Sequence, residues 1–253
     1  MNSKAFSAIA ACTLAASALA GPGPVTNFGT LTDSLGNEIS FDAGTGNSNT
    51  DFMYQNINGQ YTFGLSTQTR YISENGPVTN NGVDTFYVQA GADQSGNDDG
   101  GPGGAGPGRW GIKWSITTDG DGGVPSNLVM ALRIDGPSGG SFGSLLPAFA
   151  LPIVEYPVPE GDYAYANQQT WGMHYGFLQA DSADYGLPGG IWDGLAYDFD
   201  ELGTYTIQIK LWEVNGGALD ELSTMSMNVE VVPAPGALAL LGLSGFARRR
   251  RRG

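Results

Sequence analysis

The sequence predicts a mainly β protein: an antiparallel β-sandwich or jelly-roll-like body, with an N-terminal signal peptide and one short C-terminal transmembrane helix. Three observations predict the body. Apolar side chains alternate with polar or small ones through several segments, the period of a strand with one buried face. Clusters of Gly, Asn, Asp and Pro separate those segments, in a chain with 40 glycines among 253 residues. Between the two ends, no segment keeps a helical period over as many as about ten residues.

Taken in order, the first strands are expected at residues 52–55 and 61–65, joined by Asn58-Gly59, a pair that suits a tight hairpin turn. Short strands follow around residues 86–90 and 128–134. Between them, Trp110, Ile112, Trp114 and Ile116 alternate with small or polar residues and define one apolar face. Trp171, Met173, Tyr175 and Phe177 predict a further face, with Gly172 and Gly176 opposite. Tyr205, Ile207, Ile209 and Leu211, then Met225, Met227, Val229 and Val231, mark the last two strands. Residues 203–232 resemble the closing hairpin of an immunoglobulin-like sandwich, a likeness shared by many β-sandwiches. Residues 91–108 are a Gly-rich run that reads as an exposed loop within a single domain spanning 21–231, because the same strand pattern resumes after it.

Charge is scarce and unevenly placed. Lys4 lies near the N-terminus and five arginines close the chain. The body between them carries Arg70, Arg109, Lys113, Arg133 and Lys210 against 25 acidic residues, a net charge of −20. Such a surface repels phosphate backbones, so no nucleic-acid partner is expected. An apolar fraction of 41%, arranged in patterned strands, excludes a disordered acidic chain.

Residues 1–20 read as a secretory signal: Lys4 in a short basic region, an apolar stretch, then Ala18 and Ala20 at the −3 and −1 positions before Gly21. Signal peptidase is the partner implied. Cys12 is the chain's one cysteine, so the processed chain has no thiol and no disulfide.

The body offers little that reads as catalysis. Gly139, Ser141 and Gly143 match the G-x-S-x-G pattern of a nucleophile elbow. No helix is expected after it, and His174 is the chain's sole imidazole, so a Gly/Ser loop is the better reading. His174 has no companions for a zinc site. Asp119 and Asp121 in one loop and Asp198 and Asp200 in another can offer oxygens to a structural calcium, although neither loop has the EF-hand spacing. Aromatic residues can stack on sugars. Most of the tryptophans fall on core faces, but Trp212 points away from the Tyr205–Leu211 apolar face and Trp192 lies in loop-like sequence, which makes these two the glycan candidates.

The C-terminal segment is the most specific feature. Val232, Pro233, Ala234, Pro235 and Gly236 lead into an apolar run, and Arg248, Arg249, Arg250, Arg251 and Arg252 follow it. The 17 apolar positions 231–247 span about 25 Å as a helix, at the short limit for a hydrocarbon core of about 30 Å. Arginines beyond such a helix stay cytoplasmic, which agrees with an exported body. This tripartite segment resembles a PEP-CTERM sorting signal, in the VPAPG variant with Ala234 where Glu is usual. The resemblance implies recognition and cleavage by an exosortase-type membrane protease, in a Gram-negative-type bacterium that makes exopolysaccharide. The sorting segment then spans 232–253. The expectation is an exported cell-surface or extracellular-matrix protein with a structural or adhesive role and no catalysis, anchored transiently in the inner membrane. The alternatives are a carbohydrate-binding module for matrix exopolysaccharide and a secreted hydrolase.

Overall fold

The computed structural model describes residues 25–43, 50–70, 76–92, 109–118, 124–148, 153–157, 163–173, 191–193 and 201–234. They form a mainly β protein. Its strands are β1 (Thr26–Gly29), β2 (Phe52–Ile57), β3 (Tyr61–Thr69), β4 (Thr79–Asn80), β5 (Thr85–Gln89), β6 (Trp110–Thr118), β7 (Leu128–Asp135), β8 (Ser141–Pro147), β9 (Ile153–Pro157), β10 (Tyr163–Gly172), β11 (Ile191–Asp193), β12 (Gly203–Asn215) and β13 (Ala218–Val232). Six strands make one sheet in the order β1-β2-β3-β6-β10-β9, and seven make the other in the order β11-β8-β7-β12-β13-β5-β4.

Local chemistry sets several of these elements. Asn58 and Gly59 both adopt positive φ (53° and 65°), the geometry a two-residue turn needs to match the twist of β2 and β3. β12 and β13 are joined through Gly216 and Gly217, again at positive φ. Their odd-numbered residues meet in register, Tyr205 opposite Val229, Ile207 opposite Met227 and Ile209 opposite Met225. One surface of the pair is therefore apolar from Tyr205 to Ile209 and from Met225 to Val231.

That surface faces a core shared by the two sheets. From the six-stranded sheet come Phe63, Leu65, Trp110, Ile112, Trp114 and Ile116; from the seven-stranded sheet come Phe86, Leu132, Tyr205, Ile207, Met227 and others. Trp110 meets Tyr205 across the sheets at 5.2 Å between ring centroids, edge-on, and Trp114 meets Trp171 at 4.9 Å. Ser223 on β13 also donates a hydrogen bond to Gln55 on β2, tying the sheets at the margin of the core.

The structure differs from the sequence reading in several places. β5 runs parallel to β13, with Val229 opposite Phe86, so the pairing is not wholly antiparallel. Ser141 and Gly143, read as part of a Gly/Ser loop, lie on β8, because the turn between Gly136 and Gly140 returns the chain against β7. Trp192, also read as loop, lies on β11, paired to β8 opposite Phe142. The strand expected through Phe177 ends at Gly172. Trp171 and Met173 are buried as expected, while Tyr175 and Phe177 lie outside the described residues.

Gly111 marks a backbone contact that no alternation pattern reveals. A Cβ placed there would sit 2.4 Å from the Trp171 carbonyl oxygen and 3.1 Å from the Gly172 Cα. Gly111→Ala is expected to cost roughly 3 kcal/mol or more, because backbone on two central strands must separate. Gln208→Ala, half-buried on the outer face of β12, is expected to stay within about 0.5–1 kcal/mol. Urea unfolding of the two variants checks the contrast.

Candidate functional site

The central strands of the six-stranded sheet, β3 and β6, are buried on both faces. Alternation leaves Thr62, Gly64, Ser66 and Gln68 of β3, Lys113, Ser115 and Thr117 of β6, and Gln168 and Thr170 of β10 on the side away from the shared core. A half-buried sheet would wet that side. Here residues 31–43 cross it as a strap, and Leu31, Ile39, Phe41 and Ala43 pack with Phe52, Tyr156 and Ala166 into a second, smaller core. Leu31 lies so close that a Cβ on Gly64 would come within 2.8 Å of its Cδ1.

The strap folds on itself and then docks. Asp33 Oδ1 accepts from the amides of Leu35 and Asn37, Gly36 takes φ 89°, and the Ile39 amide donates to the Leu31 carbonyl. Gln168 reaches up from β10 as a substitute for a strand neighbour: its Oε1 accepts from the Asp42 amide at 3.0 Å and its Nε2 donates to the Ser40 carbonyl at 2.7 Å. Tyr156 donates its hydroxyl to Asp33, and Thr32 donates to the Tyr54 hydroxyl.

At the centre of this layer is Lys113, with no solvent exposure. Its Nζ lies 4.9 Å from the Phe41 ring centroid on the strap and 4.5 Å from that of Phe52 on the sheet. Ser66 and Thr170 are its register neighbours on β3 and β10. Burial pushes the ammonium's pKa from 10.5 down to about 7, and the charge of Asp51 opposes this without cancelling it. The order of magnitudes agrees. A desolvated cation–π contact returns about 2 kcal/mol, whereas removing an ammonium from water costs several. Nearby, Gln68 donates to Thr170 Oγ1 at 2.5 Å, while its buried Oε1 has no partner among the described residues.

Alternation alone puts Lys113 on the polar side of a strand, the side ordinarily left to solvent. The signal that could have found the cover is the apolar quartet Leu31, Ile39, Phe41 and Ala43, in a segment otherwise rich in turn residues.

The outer face of the seven-stranded sheet is uncovered by any described element. Trp212 lies there, half-buried, beside a bulge in the β12–β13 register, opposite Val129 and Glu221. Gln208 and Lys210 precede it on the same face, and Lys210 approaches Glu221 at 3.8 Å. Arg133 of β7 lies opposite Gln208. Thus Arg133 and Lys210, two of the body's five cations, share this face.

Ser141 of the G-x-S-x-G match is the first residue of β8, and a strand follows it where a nucleophile elbow needs a helix. Its hydroxyl donates to Asp135 at 2.5 Å, and Arg133 Nε binds the same carboxylate at 2.9 Å. Burial raises the Asp135 pKa, but the bonds from Arg133 and Ser141 and the arginine's charge outweigh it and leave the carboxyl below its ordinary value. This group ties the β7–β8 hairpin together.

Asp119, Asp121, Asp198 and Asp200, His174, and the signal residues Ala18, Ala20 and Gly21 lie outside the described residues, as do Pro235, Gly236 and the arginines 248–252. Among the described residues, no three His, Cys, Asp or Glu side chains group to hold a metal, and no helix is long and apolar enough to cross a membrane. Val231 and Val232 belong to β13, and the Val232 carbonyl accepts from the Ala90 amide. The apolar stretch left for a terminal helix therefore begins at Pro233 and not at Val231. Comparison of the chain with protein-family models, with curated proteins and with solved structures finds no match.

Lys113 has a measurable signature. The unfolded lysine takes up its proton near 10.5 and the folded one near 7, so between these values the unfolded state holds more protons. Folding stability is expected to rise with pH across that window and to be flat below it. Lys113→Met is expected to abolish the slope and to gain about 3–5 kcal/mol at pH 7, because each pH unit between the two values is worth about 1.4 kcal/mol. Urea denaturation at pH 7, 8 and 9 reads both effects; a less stable variant that keeps the slope contradicts the sealed lysine.

Proposed function

We propose that this chain is an exported surface or extracellular-matrix protein, processed by signal peptidase at the N-terminus and by an exosortase-type membrane protease at the C-terminus. Its body is a β-sandwich of jelly-roll-like character with a structural or adhesive role. The observation that carries the reading is the junction at the end of β13. The last strand residue is Val232, and Pro233-Ala234-Pro235-Gly236, an apolar run and five arginines follow in direct succession. Val232, the first residue of the motif, closes the last strand, and the half-buried Pro233 and Ala234 follow it outside the sheet.

The chemistry of the tail supports a holding function. A helix of about 22 Å is shorter than the hydrocarbon core and is accommodated only by thinning the bilayer or by pulling its flanking residues inward. Five cytoplasmic arginines oppose its withdrawal. Together they make an anchor that keeps orientation until cleavage and is weak once the arginines are gone. The acidic body, at −20, then supports solubility and repulsion from anionic cell surfaces.

The uncovered face around Trp212 favours a second reading, binding of matrix exopolysaccharide. A half-buried indole supplies a stacking plane, and Gln208, Lys210 and Arg133 supply hydrogen-bonding groups beside it.

Two measurements test these readings. Intact mass spectrometry of the native protein is expected to find Gly21 at the N-terminus and loss of the segment beyond about residue 233. Replacing the five arginines with glutamine is expected to leave most of the chain unprocessed, and unchanged processing counts against the anchor mechanism. Affinity electrophoresis in host polysaccharide is expected to show roughly tenfold weaker retention for Trp212→Ala; no retention of the wild-type body removes the second reading alone.

A further inference from the structure

Residues 31–43 belong to no strand of either sheet, and side chains reach across to hold them. The surface beneath is unlike a core. It carries hydroxyls and amides from Ser66, Gln68, Ser115, Gln168 and Thr170 around one amine, that of Lys113. Phe41 is the strap residue that closes over this amine. A strap held in this way separates from the sheet at lower cost than either sheet separates from the shared core, because among the described residues its own core has seven buried apolar residues and the shared one has 26.

We infer that residues 31–43 form a proton-controlled cover: proton uptake by Lys113 lifts Phe41 and the strap from the six-stranded sheet and uncovers the hydroxyl- and amide-rich face beneath. The direction follows from solvation. Burial in the closed layer favours the neutral amine, whereas an ammonium gains hydration if the strap opens. Burial already holds the closed-state amine near a pKa of about 7, so the change falls within the range of natural environments.

The ionisable groups on the surrounding elements do not reverse this sign. Asp33, Glu38 and Asp42 lie on the strap, Asp51 and Tyr54 at β2, and Glu155 and Tyr156 on β9. Of these, Asp51 acts on Lys113 by charge and favours the ammonium, yet burial outweighs it and the pKa stays low. The cover does not rest on export or processing, and it stands or falls separately from them.

Hydrogen exchange in the full-length chain tests it. The reporters are the Ile39 and Asp42 amides, both hydrogen-bonded in the closed strap, with the Ile207 and Met227 amides of the shared core for comparison. After correction for intrinsic rates, the opening constant of the strap amides is expected to exceed that of the core amides at least about a hundredfold. It is expected to rise about tenfold per pH unit as pH falls from 9 to 7, and to level off below about 6.5. In Lys113→Met the strap amides are expected to lose the slope while the core amides remain protected. Strap amides that open only in step with Ile207 and Met227 overturn the cover. Separate opening with no pH slope in the wild type overturns the role of Lys113, and this result does not depend on whether the variant folds.

Discussion

The central strands of the six-stranded sheet have no free face, and the rest of the structure depends on that constraint. One side meets the seven-stranded sheet through large apolar side chains, a conventional solution. The other side meets the strap through a mixed layer that includes a charged-type residue, Lys113, with no exposure. Such a layer is favoured when most of its buried polar atoms find partners and the amine can shed its proton. Gln168 illustrates the solution, with its amide bonding two strap backbone groups as a strand neighbour would. Gly64 and Gly111 reflect the same crowding. At each, a side chain would collide with what lies above or beside the sheet.

Much of the body is legible in the sequence because its signals are local. The alternation in 203–231 and 110–116 identifies β12, β13 and β6 and their buried faces, since a period of two is a direct consequence of strand geometry. Asn58-Gly59 identifies the β2–β3 turn through the φ values it tolerates. The remainder requires long-range information. The parallel pairing of β5 with β13 joins residues far apart in the chain, Phe86 with Val229, and leaves no mark on either strand. β8 is rich in glycine and serine at its start, and the Gly136–Gly140 turn that pairs it with β7 outweighs its weak local preference.

The site is less legible for a related reason. Alternation distinguishes the two sides of a strand but does not say what covers the polar side. Lysine on a polar face is usually solvated, and nothing next to Lys113 in the chain says otherwise. Only the folded path of residues 31–43 places Phe41 over it. The tail shows the reverse case. Its information lies in the order of motif, apolar run and arginines, and the fold adds only that β13 retains Val231 and Val232, which shortens the segment left for a helix.

The central physical claim is that Lys113 is sealed between two layers in the native protein. Its direct test is the pH titration of the lysine side-chain ¹³Cε resonances in the folded chain. The sequence has only Lys4, Lys113 and Lys210, and the Lys113→Met spectrum assigns the signal by its loss. A sealed Lys113 gives a midpoint near 7. A Lys113 midpoint above about 10 in the folded protein, the value of a lysine in water, would contradict the sealed layer and the cover built on it.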